Sequence, residues 1–363
     1  MNLFFNSIKE LNLTDSNHKA NPVKEVLDEF LMKGWYRMNN NLFTVHCMFF
    51  ENMVSSVLWL RLPLRNYKKS KSLRQIYNRV YSNFRVEIRK ATYSKSQEAL
   101  YQKYVIDLKQ RSGSFASYVG HRFNTYEVNV YDDDLLIAFS YFDLGHNSIA
   151  SILGVFHPHY QKYSLGIFTM LAEIEYGLKN GFSYYYPGYV VLKNPIFNYK
   201  LRIKPMEFYH PPEEAWIPWE SFGPSYDLIE ILTQKIRSLA KTLREKEIPY
   251  SIIQQTEYNH NTEDWLSFGP LLDHPLFITI ANSKGLDHFT AIVFHPYQMA
   301  YAVCKGKHPI QLDISLFFFE DDNEIQQESS VDYNSYELLE ILTVKKEISD
   351  VVNYLQNSQL LPK

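Results

Sequence analysis

The chain has only two cysteines in 363 residues, Cys47 and Cys304, and they stand far apart. That argues against a disulfide framework and for buried thiols in a reducing compartment. No run of about eighteen apolar residues occurs, so no helix is expected to span a membrane. The first ten residues, MNLFFNSIKE, lack the basic start and long apolar core of a secretory signal. A cytoplasmic protein with no membrane partner is the expectation. Motifs for metal and nucleophile chemistry are missing too: there is no HExxH, no CxxC and no GxSxG. His157 and His159 flank Pro158 without a third ligand and receive no role.

With 45% hydrophobic and 21% charged residues, the composition is that of a globular protein, long enough for two domains. The 28 Tyr and 24 Phe accompany enriched Asn, Ile and Lys, the mark of codon bias, and earn no credit as a stacking surface. Charge is more telling. The net charge is −3, yet residues 61 to 111 hold fourteen Lys or Arg against three acids, leaving the remainder at about −14. Segregation of this kind is the electrostatic footprint of a polyanion partner, although charge runs are more often plain solvated surface. Lys68, Lys69, Lys71 and Arg74 form its densest part.

Along the chain, residues 1 to 27 are polar and weakly patterned. A helix is expected over 23–34, a hairpin over 35–50 turning at Asn39-Asn40-Asn41, and a strand over 58–64. Residues 96–109 read as a helix capped by Ser96. Strands at 126–131, 135–144 and 148–156, joined by the turns Asp132-Asp133-Asp134 and 144–148, make an antiparallel meander. Ser164 then caps a helix whose Ile167, Met170, Leu171, Ile174 and Leu178 recur at three- and four-residue steps, and Asn180-Gly181 ends it. On that wheel Glu175 lies at the flank of the apolar face, where desolvation raises a carboxylate's pKa, and Glu173 points to the polar side. The strand over 182–191 is interrupted by Pro187-Gly188, which predicts an edge or a bulge where the sheet opens. A helix N-terminus, favourable to anions, would sit one element away. The stretch 209–224 reads as a connector. A long amphipathic helix over 226–246, strands at 276–281, 289–294, 300–304 and 310–319, an acidic loop at 320–324 and a final helix over 336–356 complete the chain. The expected fold is α+β, divided into an N-terminal region (1–60), a core (61–210), a linker (211–225) and a smaller C-terminal α+β domain (226–363).

Tyr160-Gln-Lys-Tyr-Ser-Leu-Gly166, ahead of that helix and strand, resembles the central segment of the GNAT acyltransferase fold. Ser164-Leu165-Gly166, Glu173-Ile174-Glu175, Tyr184-Tyr185-Tyr186, Gly188-Tyr189, Asn198-Tyr199-Lys200 and Lys204-Pro205 resemble the arginyl-tRNA–protein transferase family. The likeness extends upstream to about Asp28, covering roughly half the chain, and the family carries a basic stretch similar to that of residues 61–74. It implies a GNAT-like core and transfer of Arg or Leu from aminoacyl-tRNA, the co-substrate, to the N-terminal α-amine of an acceptor protein. No other cofactor is implied. The ester is already activated, so holding the amine, removing a proton and stabilising the oxyanion suffice. An α-amine with a pKa of about 7.7–8.0 needs only a mild base.

On this reading Glu175, Tyr186 and Tyr189 are the candidate catalytic residues. Ser164, Gly166, Glu173, Gly188, Tyr199 and Lys200 are candidates for holding substrate, with Lys200 meeting a tRNA phosphate or the acceptor's acidic side chain. Each also has a plain structural reading as an N-cap, a strand tyrosine or an exposed lysine. Two departures from the family stand out. Residues 46–58 hold only Cys47 where the family carries cysteine pairs, which withdraws support for a metal or iron–sulfur centre. Ile196-Phe197 replaces a Lys-Met pair, removing a positive charge near the substrate. A GNAT enzyme using acetyl- or acyl-CoA is the alternative. It is disfavoured because residues 161–167 offer one glycine, Gly166, and put Tyr163 where a glycine normally lies. A catalytically inactive RNA-binding adaptor on the same fold is the third reading.

Overall fold

The computed structural model describes residues 7–10, 22–38, 41–50, 53–107, 123–255, 275–280, 288–320, 324–358 and 360–361. The contacts divide the chain into two compact units, one of Ile8–Thr44 with Val57–Phe222, the other of Met1–Ser7, Val45–Ser56 and Gly223–Lys363. The N-terminal region expected over 1–60 is therefore split between them. Its Leu27, Leu31 and Tyr36 are buried in the first unit, whereas residues 47–50 pair with 53–56 in the second. Residues 211–222, expected as linker, also belong to the first unit.

In chain order the elements are β1 (Ser7–Glu10), α1 (Pro22–Met32), β2 (Tyr36–Met38), β3 (Asn41–Thr44), β4 (Cys47–Phe50), β5 (Met53–Pro63), α2 (Lys71–Asn83), β6 (Arg85–Lys90) and α3 (Lys95–Asp107). The meander follows as β7 (Thr125–Asp132), β8 (Leu135–Leu144) and β9 (Ser148–Phe156), then α4 (Leu165–Lys179), β10 (Tyr184–Val191), β11 (Glu207–His210) and β12 (Ala215–Pro218). The main sheet has the order β12-β11-β5-β10-β9-β8-β7-β6. Neighbours are antiparallel except β10 with β9, whose parallel pairing follows from the crossover through α4. Antiparallel meander, helix and parallel strand thus stand next to one another in the order expected from the sequence.

The meander and α4 form where periodicity predicts them. Several elements escaped it. The basic window folds as α2, whose Leu73, Ile76 and Val80 are buried at helical spacing while its charges stay outside. Ser94, not Ser96, caps α3, its hydroxyl accepting from the Gln97 amide at 3.2 Å. The expected end of that helix at Lys109 and the turn residues Asn39-Asn40 lie outside the described residues, as does most of the acidic loop. The stretch read as a connector contains the β11–β12 hairpin, with Glu207 paired to Pro218 and His210 to Ala215, adding two strands to the sheet edge. Prolines at the end of β12 and in the turn hide its alternation.

The second unit holds α5 (Leu228–Glu245), β13 (Ser251–Gln255), β14 (Leu276–Ile280), β15 (His288–His295), β16 (Ala300–Glu320), β17 (Glu324–Lys345) and α6 (Ile348–Asn357). Asp227 caps α5 through the Glu230 amide at 3.2 Å. Leu232, Ile236, Leu239 and Leu243 pack with Ile278, Ile292, Val303 and Val351. The helix expected over 336–356 is corrected here: residues up to Lys345 are strand, and helix begins at Ile348. Pairing of Tyr301 with Lys345 and Val303 with Thr343 gives those backbone groups ladder partners that outweigh the helical spacing.

Candidate functional site

The site is set by the place where two central strands part. β10 pairs with β9 over three residues, Tyr184 to Tyr186 against Ser148 to Ala150. The β5–β10 register then shifts between Tyr185 and Gly188, and β10 continues along β5 with Gly188 opposite Leu60 and Tyr189 opposite Trp59. Gly188 takes φ +88°, a left-handed conformation that a side chain resists. Pro187-Gly188 thus makes a bulge, but in an interior strand and not at an edge. Past Ala150, β9 is uncovered: Ser151 to Leu153 are half-buried and Gly154 is exposed. The start of α4 borders this opening, with Gly166 beside the Phe156 ring and Thr169 near Gly154. Tyr104 of α3 meets Phe156 edge-on, with ring centroids 5.2 Å apart. Ser164 sits at the N-cap position with φ +57°, but its side chain makes no capping hydrogen bond.

A buried polar cluster lies at the point of parting. Tyr36 Oη donates to the carbonyl of Tyr186 at 2.8 Å and also contacts that of Ser151, so it bridges the two strands where their own pairing stops. From the other side, Tyr185 Oη donates to Glu173 Oε2 at 2.8 Å. Glu173 is completely buried, correcting the expectation that it faces the polar side. Helix α4 packs on β8, β9 and β10 and also on α2, so more than its predicted apolar stripe is covered. Burial raises the Glu173 pKa to about 7, offset in part by the hydroxyls of Ser140, Tyr185 and Ser151. Its Oε1 has no hydrogen-bond partner among the described residues, nor has Ser140 Oγ.

Next to this cluster is an aromatic cage around Lys200. Trp59 stacks on Tyr36 and meets Tyr189 edge-on, each at 5.1 Å. Lys200 Nζ donates to the Tyr189 carbonyl at 2.6 Å, within 6 Å of the rings of Tyr189, Phe197 and Tyr199. Burial lowers the Lys200 pKa to about 8, because the ammonium loses water, and no carboxylate pairs with it among the described residues. Tyr189 is pushed up to about 12 by the same desolvation. Gly188, Tyr189, Tyr199 and Lys200 are thus brought together. Tyr186 differs: its carbonyl joins the cluster, but its ring packs on Trp216 with Arg61 beside it, and burial raises its pKa.

Glu175 stands apart from both groups. It pairs with Lys69, Nζ to Oε1 at 2.7 Å, and that ammonium also lies 3.4 Å from the Tyr77 ring centroid. Lys69, expected on the tRNA-binding face, is therefore engaged at the start of α2. Lys68, Lys71 and Arg74 are exposed around it, as are Arg65 and Arg79. His157 accepts from the His159 amide at 3.3 Å, and no group of residues suited to a metal ion occurs among the described residues. Sequence reasoning missed Tyr36, Trp59, Ser151 and Tyr185 as site residues. Periodicity places each on its strand but not across from which neighbour; the run Tyr184-Tyr185-Tyr186 was the available signal.

With this geometry in hand, likenesses to known proteins can be placed on it. Residues 76–210, which include α4, β10 and Lys200, match the sequence family described as arginine-tRNA-protein transferase, C terminus. An aspartate/glutamate leucyltransferase of Campylobacter jejuni strain RM1221 is 28% identical over 218 residues, spanning 56% of this chain and 89% of that protein. A Leptospira interrogans protein of the same name is 26% identical over 216 residues, spanning 56% of this chain and 82% of its own. Among solved structures, L-PGS from Bacillus licheniformis aligns at TM-score 0.32 and 12% identity over 40% of this chain and 52% of its own. A tandem GNAT protein from the clavulanic acid pathway aligns at 0.31 and 12% over 43% and 50%. Scores this low carry no structural weight.

Proposed function

We infer that this chain, whose residues 76–210 match the arginine-tRNA-protein transferase family, is an aminoacyltransferase that moves an amino acid from aminoacyl-tRNA to a protein N-terminus. The finer assignment is leucyl transfer to N-terminal Asp or Glu. It is supported by the names of the Campylobacter and Leptospira relatives, aspartate/glutamate leucyltransferases, and by one observation in this chain. That observation is the desolvated Lys200, held in an aromatic cage beside the strand opening without a carboxylate of its own among its hydrogen bonds. An entering acidic side chain supplies the missing counter-charge. The amine attacks the ester from the opening between β9 and β10. The first amides of α4, at Gly166, face developing negative charge at a helix N-terminus, where such charge is favoured.

The donor's phosphates fit the exposed Lys68, Lys71 and Arg74, a point-charge surface suited to a backbone contact without base readout. Tyr189 and Tyr199 supply ring faces for the terminal adenosine. In this arrangement Glu175 anchors Lys69 instead of removing a proton.

The test is a transfer assay with leucyl- and arginyl-tRNA against peptides beginning with Asp, Glu, Arg or Lys. Leucine entering the Asp and Glu peptides alone is the expected result. Arginine entering instead would overturn the donor assignment. No transfer, with salt-sensitive tRNA retention, would indicate the adaptor reading; no transfer and no retention would make acyl-CoA the next donor to try.

A further inference from the structure

We propose that Glu173 receives the acceptor amine's proton during transfer, through the Tyr185 hydroxyl beneath the point where β9 and β10 part. Four observations converge on this carboxyl. It is completely buried, yet it lies under the place where β9 and β10 part. Tyr185 Oη donates to it at 2.8 Å, and its second oxygen has no hydrogen-bond partner among the described residues. The Ser151 hydroxyl faces both Glu173 and Tyr185, and Ser151 is the first residue of β9 beyond the paired stretch, half-exposed to the opening. A continuous hydroxyl path therefore runs from the opening to the carboxyl.

The fourth observation is the character of its surroundings. The groups acting on Glu173 are Ser140 from β8, Ser151 from β9, Tyr185 from β10, Tyr36 from β2 and Tyr199 from the turn after β10. All are hydroxyls, and no cation is among them. A carboxyl kept for architecture in a dry core is usually matched by a cation or several N–H donors. This one is left able to change its protonation state at neutral pH.

The step rests on the transfer reading and balances within it. The neutral α-amine attacks the ester carbonyl carbon and a C–N bond forms. The nitrogen's extra proton passes through the Ser151 and Tyr185 hydroxyls to the Glu173 carboxylate. Collapse breaks the bond to the terminal ribose oxygen, which takes that proton back as the tRNA hydroxyl, and Glu173 is regenerated as a carboxylate. Glu173 acts through Tyr185 and is a positioning residue for the proton, not one that touches the substrate.

The test is the pH profile of single-turnover transfer with the full chain, using Glu173→Gln and Tyr185→Phe. The native rate is expected to rise through an acid limb centred near pH 7, since burial raises the Glu173 pKa to about 7. In Glu173→Gln the rate should fall about 100- to 1000-fold and lose that limb, keeping only the limb of the acceptor amine. Tyr185→Phe, which retains the ring and removes the relay, should lose the same limb and decides the matter should Glu173→Gln not fold. A folded Glu173→Gln or Tyr185→Phe with the native limb overturns the proposal and leaves the transfer reading standing. A native protein that transfers from no aminoacyl-tRNA removes both together.

Discussion

Two buried carboxylates, one on strand β7 and one on helix α4 packed against the same sheet, differ in their surroundings. Glu127 of β7 accepts from Arg89 Nε at 2.7 Å, Gln97 Nε2 and Asn129 Nδ2 at 2.9 Å, and the Thr92 amide and hydroxyl at 3.1 and 3.4 Å. It ties α3 and the end of β6 to β7, and both its oxygens accept hydrogen bonds. Glu173, equally buried, has hydroxyls where Glu127 has a guanidinium and N–H donors. Burial alone therefore says little about role. The first carboxyl is matched for its charge and is architectural, whereas the second is matched for neither state and can move between them.

That contrast can be broken most severely through stability at different pH. The folded-state pKa of Glu173 is raised above its unfolded value, so its stabilising contribution is complete below about pH 4.5 and lost as pH rises through about 7. Urea unfolding of the native protein should show a loss on the order of 3 kcal/mol across that window, and Glu173→Gln should lack it. A native slope unchanged by the substitution would contradict the assignment. Glu127→Gln should behave oppositely. It replaces an acceptor of five bonds, costing about 1–3 kcal/mol of unfolding free energy, while transfer per folded molecule stays native.

A smaller effect is expected at the cage. Lys200→Met should raise the KM for acidic-terminus peptides about tenfold, the order of one charge-assisted hydrogen bond, with kcat little changed. Equal loss for all peptides would show that Lys200 does not select the acceptor. The smallest effect belongs to Glu175→Gln. Its pair with Lys69 is partly exposed, and such pairs contribute roughly 0.2–1 kcal/mol, so transfer should stay within about threefold of native. A larger loss would restore Glu175 as the base.

Much of the scaffold was legible because period is a local property. Ile167, Met170, Leu171 and Ile174 predict α4, and the Asp132-Asp133-Asp134 turn predicts the meander. Pro187-Gly188 announced the opening. Legibility ended where the answer depended on a second element. The wheel of α4 assigns Glu173 to solvent because it knows of one covered face, and the packing of α2 as well as the sheet covers more. Tyr36 lies more than a hundred residues from both carbonyls it bridges, beyond any local pattern. The charge of residues 61–74 was visible, but the diversion of Lys69 to Glu175 and of Arg61 to Glu207 was not.

The most direct measurement is the titration of Glu173 itself, by carbon-13 NMR of the carboxyl groups in protein labelled at glutamate, with Glu173→Gln to assign the resonance. A midpoint near pH 7, absent from the variant and shifted by Tyr185→Phe, is the predicted result. A Glu173 resonance titrating with the surface glutamates, in the ordinary carboxylate range near pH 4, would contradict the role of this carboxyl as the proton-holding group of the site.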